Sequence, residues 1–181
     1  MIYLFLAEGF EEMEALAPVD ILRRAGLDLR TVGVTGKTVT GSHNIPVTAD
    51  IELDEVSFDD MDMVILPGGM PGTLNLEKCD RVKEAVSFCV NNDKYIAAIC
   101  AAPGILGRMG VLNGKNATCF PGHDTALTEG GADYTADSVT VDGKFITGKG
   151  AGVATEFALE IVEILCSEHK AQELHSSMQC K

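Results

Sequence analysis

A chain of 181 residues with 46% hydrophobic content holds one domain with a good core, and a second full domain would be cramped. Its formal net charge of −13 excludes the basic face that nucleic-acid phosphates require and argues against an anionic membrane surface as partner. No run approaches the roughly 18 apolar residues of a membrane-spanning helix. The six cysteines are scattered without a C-x-x-C pair, so free thiols in a reducing, cytoplasmic setting are expected.

The opening MIYLFLAEGFEE lacks a basic start and a small-residue cleavage site, and reads as a first strand rather than a secretory signal. Residues 2–7 are a continuous apolar run closed by Gly9, as in a strand buried on both faces. EEMEALAPVDILRRAG then carries acids in its first turn, Arg23 and Arg24 in its last and Gly26 as a stop, which are matched helix-end signals. Pro18 inside this helix removes the hydrogen bond to the Glu14 carbonyl, at a cost of about 3 kcal/mol in a regular interior, and predicts a kink beside Glu14. Residues 27–34 form a second strand, and the turn-rich stretch 45–51 a short hairpin. MDMVILPGG is a third buried strand ending in Pro67-Gly68-Gly69. EKCDRVKEAVSFCVNN is an amphipathic helix, KYIAAIC a short apolar strand and PGILGRMGVL a short helix. KNATCF and SVTVDGKFITG are further strands, the latter a hairpin around Asp142-Gly143, and the helices ATEFALEIVEILCSEH and KAQELHSSM close the chain.

Strands alternating with helices of this length predict an α/β fold, a mostly parallel sheet covered on both faces, in a single domain over residues 1–181. Ligands in such sheets bind outside the carboxyl ends of the strands. Three candidate positions fall there: Ala7-Glu8-Gly9, Pro67-Gly68-Gly69 and Ile99-Cys100.

Cys100 sits where a strand meets a helix. A nucleophile on such a sharp turn needs small residues two before and two after it, and Ala98 and Ala102 occupy those positions. Pro103 and Gly104 then open the helix, whose unpaired N–H groups can lower a thiol pKa from about 8.5 into the range of roughly 3.5–7.5. The same Ala-rich run suits a small buried thiol packed into a core, and the local pattern fits both readings. Glu14 lies just past the first strand's carboxyl end and could share a proton with Cys100 as general acid or base. Glu11 and Glu12 read as a solvated first turn. The pair Gly68-Gly69 can expose backbone N–H groups to a developing oxyanion, though on its own it reads first as a plain turn. Of the four histidines, His123 in CFPGHD is the best candidate base, His43 could lie near a site or a subunit contact, and His169 and His175 read as solvated. Gly36-Lys37-Thr38 lacks the first glycine of a phosphate loop, and Val153 replaces the third glycine of a dinucleotide fingerprint. Cys119 and His123 alone do not make a metal site.

Four stretches, AEGFEEMEALAPVDILRRAG, MVILPGGMPGTLNL, YIAAICAAPGIL and GKGAGVATEFALEIVEIL, together resemble the ThiJ/DJ-1/PfpI superfamily in its DJ-1-like branch. The resemblance covers nearly the whole chain in family order. It implies a flavodoxin-like three-layer α/β sandwich, a homodimer and no cofactor or metal. It places the reactive cysteine at Cys100, its partner acid at Glu14, and oxyanion-binding N–H groups at Gly69 and Ala101. Where some members carry a histidine before the proline of CFPGH, this chain has Phe120, and His123 comes three residues later. The implied activities are glyoxalase or deglycase chemistry on methylglyoxal-like dicarbonyls, oxidative-stress sensing through Cys100, chaperone behaviour, and peptidase activity in some branches.

Overall fold

The structure is a computed structural model in which residues 1–180 are described; Lys181, the end of the predicted domain, lies outside them. Strand β1 (Ile2–Leu6), helix α1 (Glu12–Arg24) and strand β2 (Leu29–Gly33) come first. Three short strands follow: β3 (Thr38–Thr40), β4 (Pro46–Thr48) and β5 (Ile51–Glu52). The middle of the chain forms β6 (Met63–Leu66), α2 (Gly72–Lys78), α3 (Asp80–Asn91), β7 (Tyr95–Ile99) and α4 (Pro103–Arg108). Next come β8 (Asn116–Ala117), α5 (Asp124–Glu129), β9 (Asp133–Tyr134), β10 (Val139–Asp142) and β11 (Phe145–Gly148). Helices α6 (Ala154–Leu165) and α7 (Glu168–Ser177) end the described chain.

Seven strands form the main sheet in the order β10-β11-β7-β6-β1-β2-β5. Every neighbouring pair is parallel except the β10–β11 hairpin at one edge. The uninterrupted apolar run of β1 is explained by the pleat, which sends alternate side chains to opposite faces. Ile2, Leu4 and Leu6 pack with Leu22 of α1 and with Phe157 and Ile161 of α6 on one face. Tyr3 and Phe5 pack with Val82 and Val86 of α3 and Ile105 of α4 on the other. The expected three-layer sandwich is therefore present. Among the described residues, no helix is long and apolar enough to cross a membrane.

The chain winds from β1 to β2 on one side, then crosses to β6, β7 and β11 on the other. This reversal opens a crevice at the carboxyl ends of β1 and β6, where α1 and the Gly68-Gly69 turn begin. Several local expectations needed correction. The predicted helix EKCDRVKEAVSFCVNN is broken at Cys79, whose backbone is extended (φ −80°, ψ 112°), so that α2 and α3 are separate. The strand predicted over KNATCF shrinks to two residues, because the Thr118 N–H bonds the Thr147 hydroxyl (2.9 Å). Helix α5 was not expected. Helix α1 is unbroken through Pro18, so Glu14 owes its setting to burial and partners, as described next.

Candidate active site

Cys100 adopts φ +65°, the left-handed region that a residue with a side chain enters only when its surroundings hold it there. Two backbone bonds do so. The Cys100 N–H donates to the Gly148 carbonyl (2.8 Å), and the Cys100 carbonyl accepts from the Phe120 N–H (2.8 Å). Ala98 and Ala102 on either side are fully buried, as the tight turn between β7 and α4 requires, while Cys100 itself is partly exposed.

Glu14 lies in the first turn of α1 and is 1% exposed. Its Oε2 accepts from the Gly68 N–H (3.0 Å), and the Ala151 N–H and the Cys100 thiol face the carboxylate and favour its charged form. Glu11, the residue capping α1, holds the Glu14 N–H at 2.7 Å. The approach of these groups is possible because residue 68 is glycine. A Cβ there would lie 2.6 Å from Glu14 Oε2, 2.7 Å from Cys100 Cβ and 3.1 Å from Cys100 Sγ. Gly69 adopts φ +92° and packs against the backbone of Gly9 and Phe10, which orients its N–H. The N–H groups of Ala101 and Gly69 face the Cys100 sulfur and favour its thiolate.

The electrostatics differ from the expectation for Cys100. Burial pushes the Glu14 carboxyl up to about 7, with the hydrogen bond from Cys100 working against the rise. Burial, together with the neighbouring Glu14 charge, pushes the Cys100 thiol up to about 12. The N–H groups of Ala101 and Gly69 oppose this but are outweighed, so the depressed thiol pKa anticipated from the helix start does not hold. Two acidic groups this close cannot both ionise near neutrality, and between about pH 7 and about 12 the pair shares one negative charge. A thiolate forms within that pair when the cysteine proton passes to Glu14.

Cys100, Glu14, Gly69 and Ala101 are thus brought together. His123 is not: among the described residues no hydrogen bond joins its ring to Cys100 or Glu14. Its ring meets the edge of Phe120 instead (centroids 6.2 Å apart, planes at 71°). The solvated reading of Glu12 also fails. Glu12 is buried and accepts the His43 N–H (2.8 Å), the His43 ring Nδ1 (2.8 Å) and the Ser42 hydroxyl (3.3 Å). His43 therefore ties the β3–β4 turn to the start of α1. Phe120, Gly150 and Ala151 were missed as contributors. The glycine-rich GKGAGV segment, read as a failed nucleotide motif and as part of the family resemblance, was the available signal for the last two.

Comparison with known proteins agrees with this fold. The model of the DJ-1/PfpI family matches residues 1–164. The chain is 37% identical over 170 residues to protein dj-1beta of Drosophila melanogaster, covering 93% of this chain and 91% of that one. It is 35% identical over 167 residues to a Caenorhabditis elegans protein named glutathione-independent glyoxalase DJR-1.2, covering 92% of this chain and 89% of that protein. The crystal structure of Drosophila melanogaster DJ-1beta superposes with a TM-score of 0.94 at 36% identity, covering 99% and 97% of the two chains. A cysteine on a strained turn, a buried acid beside it and this sheet order come together with those matches: the chain belongs to the DJ-1/PfpI family.

Proposed function

We propose that this protein is a cysteine-dependent, cofactor-independent glyoxalase or deglycase acting on small dicarbonyls of the methylglyoxal type. The observation that carries the reading is the Cys100–Glu14 pair, a carboxyl held near neutrality by burial that meets, over Gly68, a thiol faced by two N–H groups. A general acid or base works best with a pKa near the working pH, and about 7 meets that condition. The Cys100 sulfur, its proton passed to Glu14, attacks the aldehyde carbon and a C–S bond forms. The carbonyl electron pair moves onto oxygen, where the Ala101 and Gly69 N–H groups stabilise it until Glu14 returns a proton. Glu14 then takes the proton from the former aldehyde carbon. The electron pair left behind forms a carbon–carbon double bond, and the hydroxyl proton of the first carbon passes to the former ketone oxygen. Glu14 then gives its proton to the former ketone carbon as the thioester carbonyl forms, so that the first carbon is oxidised and the second reduced. Water cleaves the resulting thioester, releasing a 2-hydroxy acid and the free thiol, with no outside oxidant or reductant. The relative named a glyoxalase supports this reading.

The test is incubation with methylglyoxal without glutathione and measurement of lactate. Turnover is expected from the native chain, with loss in Cys100→Ala and in Glu14→Gln. Unchanged lactate formation in either variant would remove the mechanism.

A second reading, an oxidative-stress sensor, is favoured by the partial exposure of Cys100 beside an acid able to be protonated near neutrality. In it Cys100 is oxidised by peroxide to a sulfinate that accepts a hydrogen bond from Glu14. Selective addition of two oxygens at Cys100 by mass spectrometry, without dicarbonyl turnover, distinguishes it from the enzyme.

A further inference from the structure

Phe120 is 47% exposed, and among the described residues every other Phe and Tyr is buried or half-buried. It is tied to the Cys100–Glu14 pair at both ends. Its backbone N–H holds the Cys100 carbonyl at 2.8 Å. Its ring lies against Gly150, where a Cβ would come 3.1 Å from the ring atom Cδ2 and 3.9 Å from Glu14 Oε1. Ring and carboxyl therefore flank the same glycine, and the missing side chain at residue 150 lets the ring lie close to the backbone. The ring also meets His123 in an edge-type contact, with centroids 6.2 Å apart and planes at 71°.

We propose that Phe120 is a specificity-determining residue that contacts the substituent on the second carbon of the dicarbonyl, and that the favoured substrates are neutral aryl or branched-alkyl glyoxals. This rests on the dicarbonyl reading above. With the aldehyde carbon on sulfur and its oxygen held by the Ala101 and Gly69 N–H groups, the rest of the substrate leaves on the Glu14 side, where the ring stands. A methyl group covers little of a phenyl face, whereas an aryl group stacks on it and removes exposed apolar surface from water. Anionic substituents are disfavoured, because Glu11 and Glu14 border the site in a chain of net charge −13.

The test compares phenylglyoxal with methylglyoxal in the native chain, Phe120→Ala and Phe120→Tyr. An aromatic contact is worth about three- to tenfold. In Phe120→Ala the ratio of kcat/KM for phenylglyoxal over methylglyoxal is expected to fall by about that factor, mostly through KM, and Phe120→Tyr is expected to keep it. A fall of less than about twofold, or a rise, overturns the proposal. Should Phe120→Ala not fold, Phe120→Leu makes the same comparison. Alkylation of Cys100 by N-phenylmaleimide against N-ethylmaleimide gives a readout independent of turnover. If the native chain converts neither glyoxal, the dicarbonyl reading fails while the maleimide ratio still tests the ring. An alkylation ratio unmoved by Phe120→Ala overturns the contact itself.

Discussion

Glu14→Gln should make the protein more stable above neutral pH while removing its activity. The carboxyl is 1% exposed, and burial raises it from an ordinary 4.5 to about 7, which is roughly 3 kcal/mol against the charged form. An unfolded chain gives up this proton near 4.5 and the folded chain near 7, so the folded state binds the extra proton between them and stability falls as pH rises through that window. Only the number of protons bound matters here, so the loss is the same whether the remaining charge sits on Glu14 or on Cys100. Glutamine has the same shape, can still accept the Gly68 N–H and has no proton to lose. Urea unfolding followed by far-UV circular dichroism is the assay, since the chain has no Trp to report by fluorescence. Under reducing conditions the variant is expected to exceed the native chain by roughly 3 kcal/mol at pH 8 and by less than about 1 kcal/mol at pH 5. The same variant should lose about a hundredfold or more in dicarbonyl turnover, the scale of a general acid–base contribution. An equal stability difference at both pH values, or a less stable variant at pH 8, would show that the buried charge is not the source of the effect.

Other substitutions probe the surrounding geometry. Gly68→Ala would set a methyl 2.6 Å from Glu14 Oε2 and 2.7 Å from Cys100 Cβ. It should cost about 1–3 kcal/mol in chemical unfolding and force Cys100 and Glu14 apart, seen as a changed pH profile of Cys100 alkylation. His43→Ala should lower the unfolding midpoint more at pH 5.5 than at pH 9. Glu12 raises the His43 pKa, so the stability from their pairing is fully present below the ordinary value of 6.5 and is lost as pH rises through the raised one. His123→Ala should leave the pH midpoint of Cys100 alkylation where it is in the native chain, because the ring bonds neither member of the pair; a shifted midpoint would restore it as a base.

Much of the architecture was legible in the sequence because it depends on short-range pattern. The apolar run at the start of the chain, the matched helix-end charges of α1 and the Asp142-Gly143 turn each identify an element from neighbours alone. The position of Cys100 was legible for the same reason: small residues on both sides of it are required by the turn itself. The two helices around Cys79 read as one, since amphipathic periodicity does not reveal a single extended residue that restarts the count.

The order of residues by itself determined an α/β layering, the carboxyl-end placement of three candidate positions and the candidacy of Cys100 and Glu14. Tertiary structure decided their chemistry. Glu14 meets the Gly68 N–H across 54 residues, and Glu12 meets His43 across 31. These distances settle which of two neighbouring acids pairs with the thiol and which fastens a turn. Only the fold shows that Cys100 is pushed up rather than down, because burial and a nearby carboxylate outweigh two N–H groups. It also shows that Phe120 lies on Gly150 beside that acid. The physical reason is common to all of them: ionisation and close approach depend on what surrounds a side chain in space, and a strand pattern carries no record of groups that arrive from distant parts of the chain.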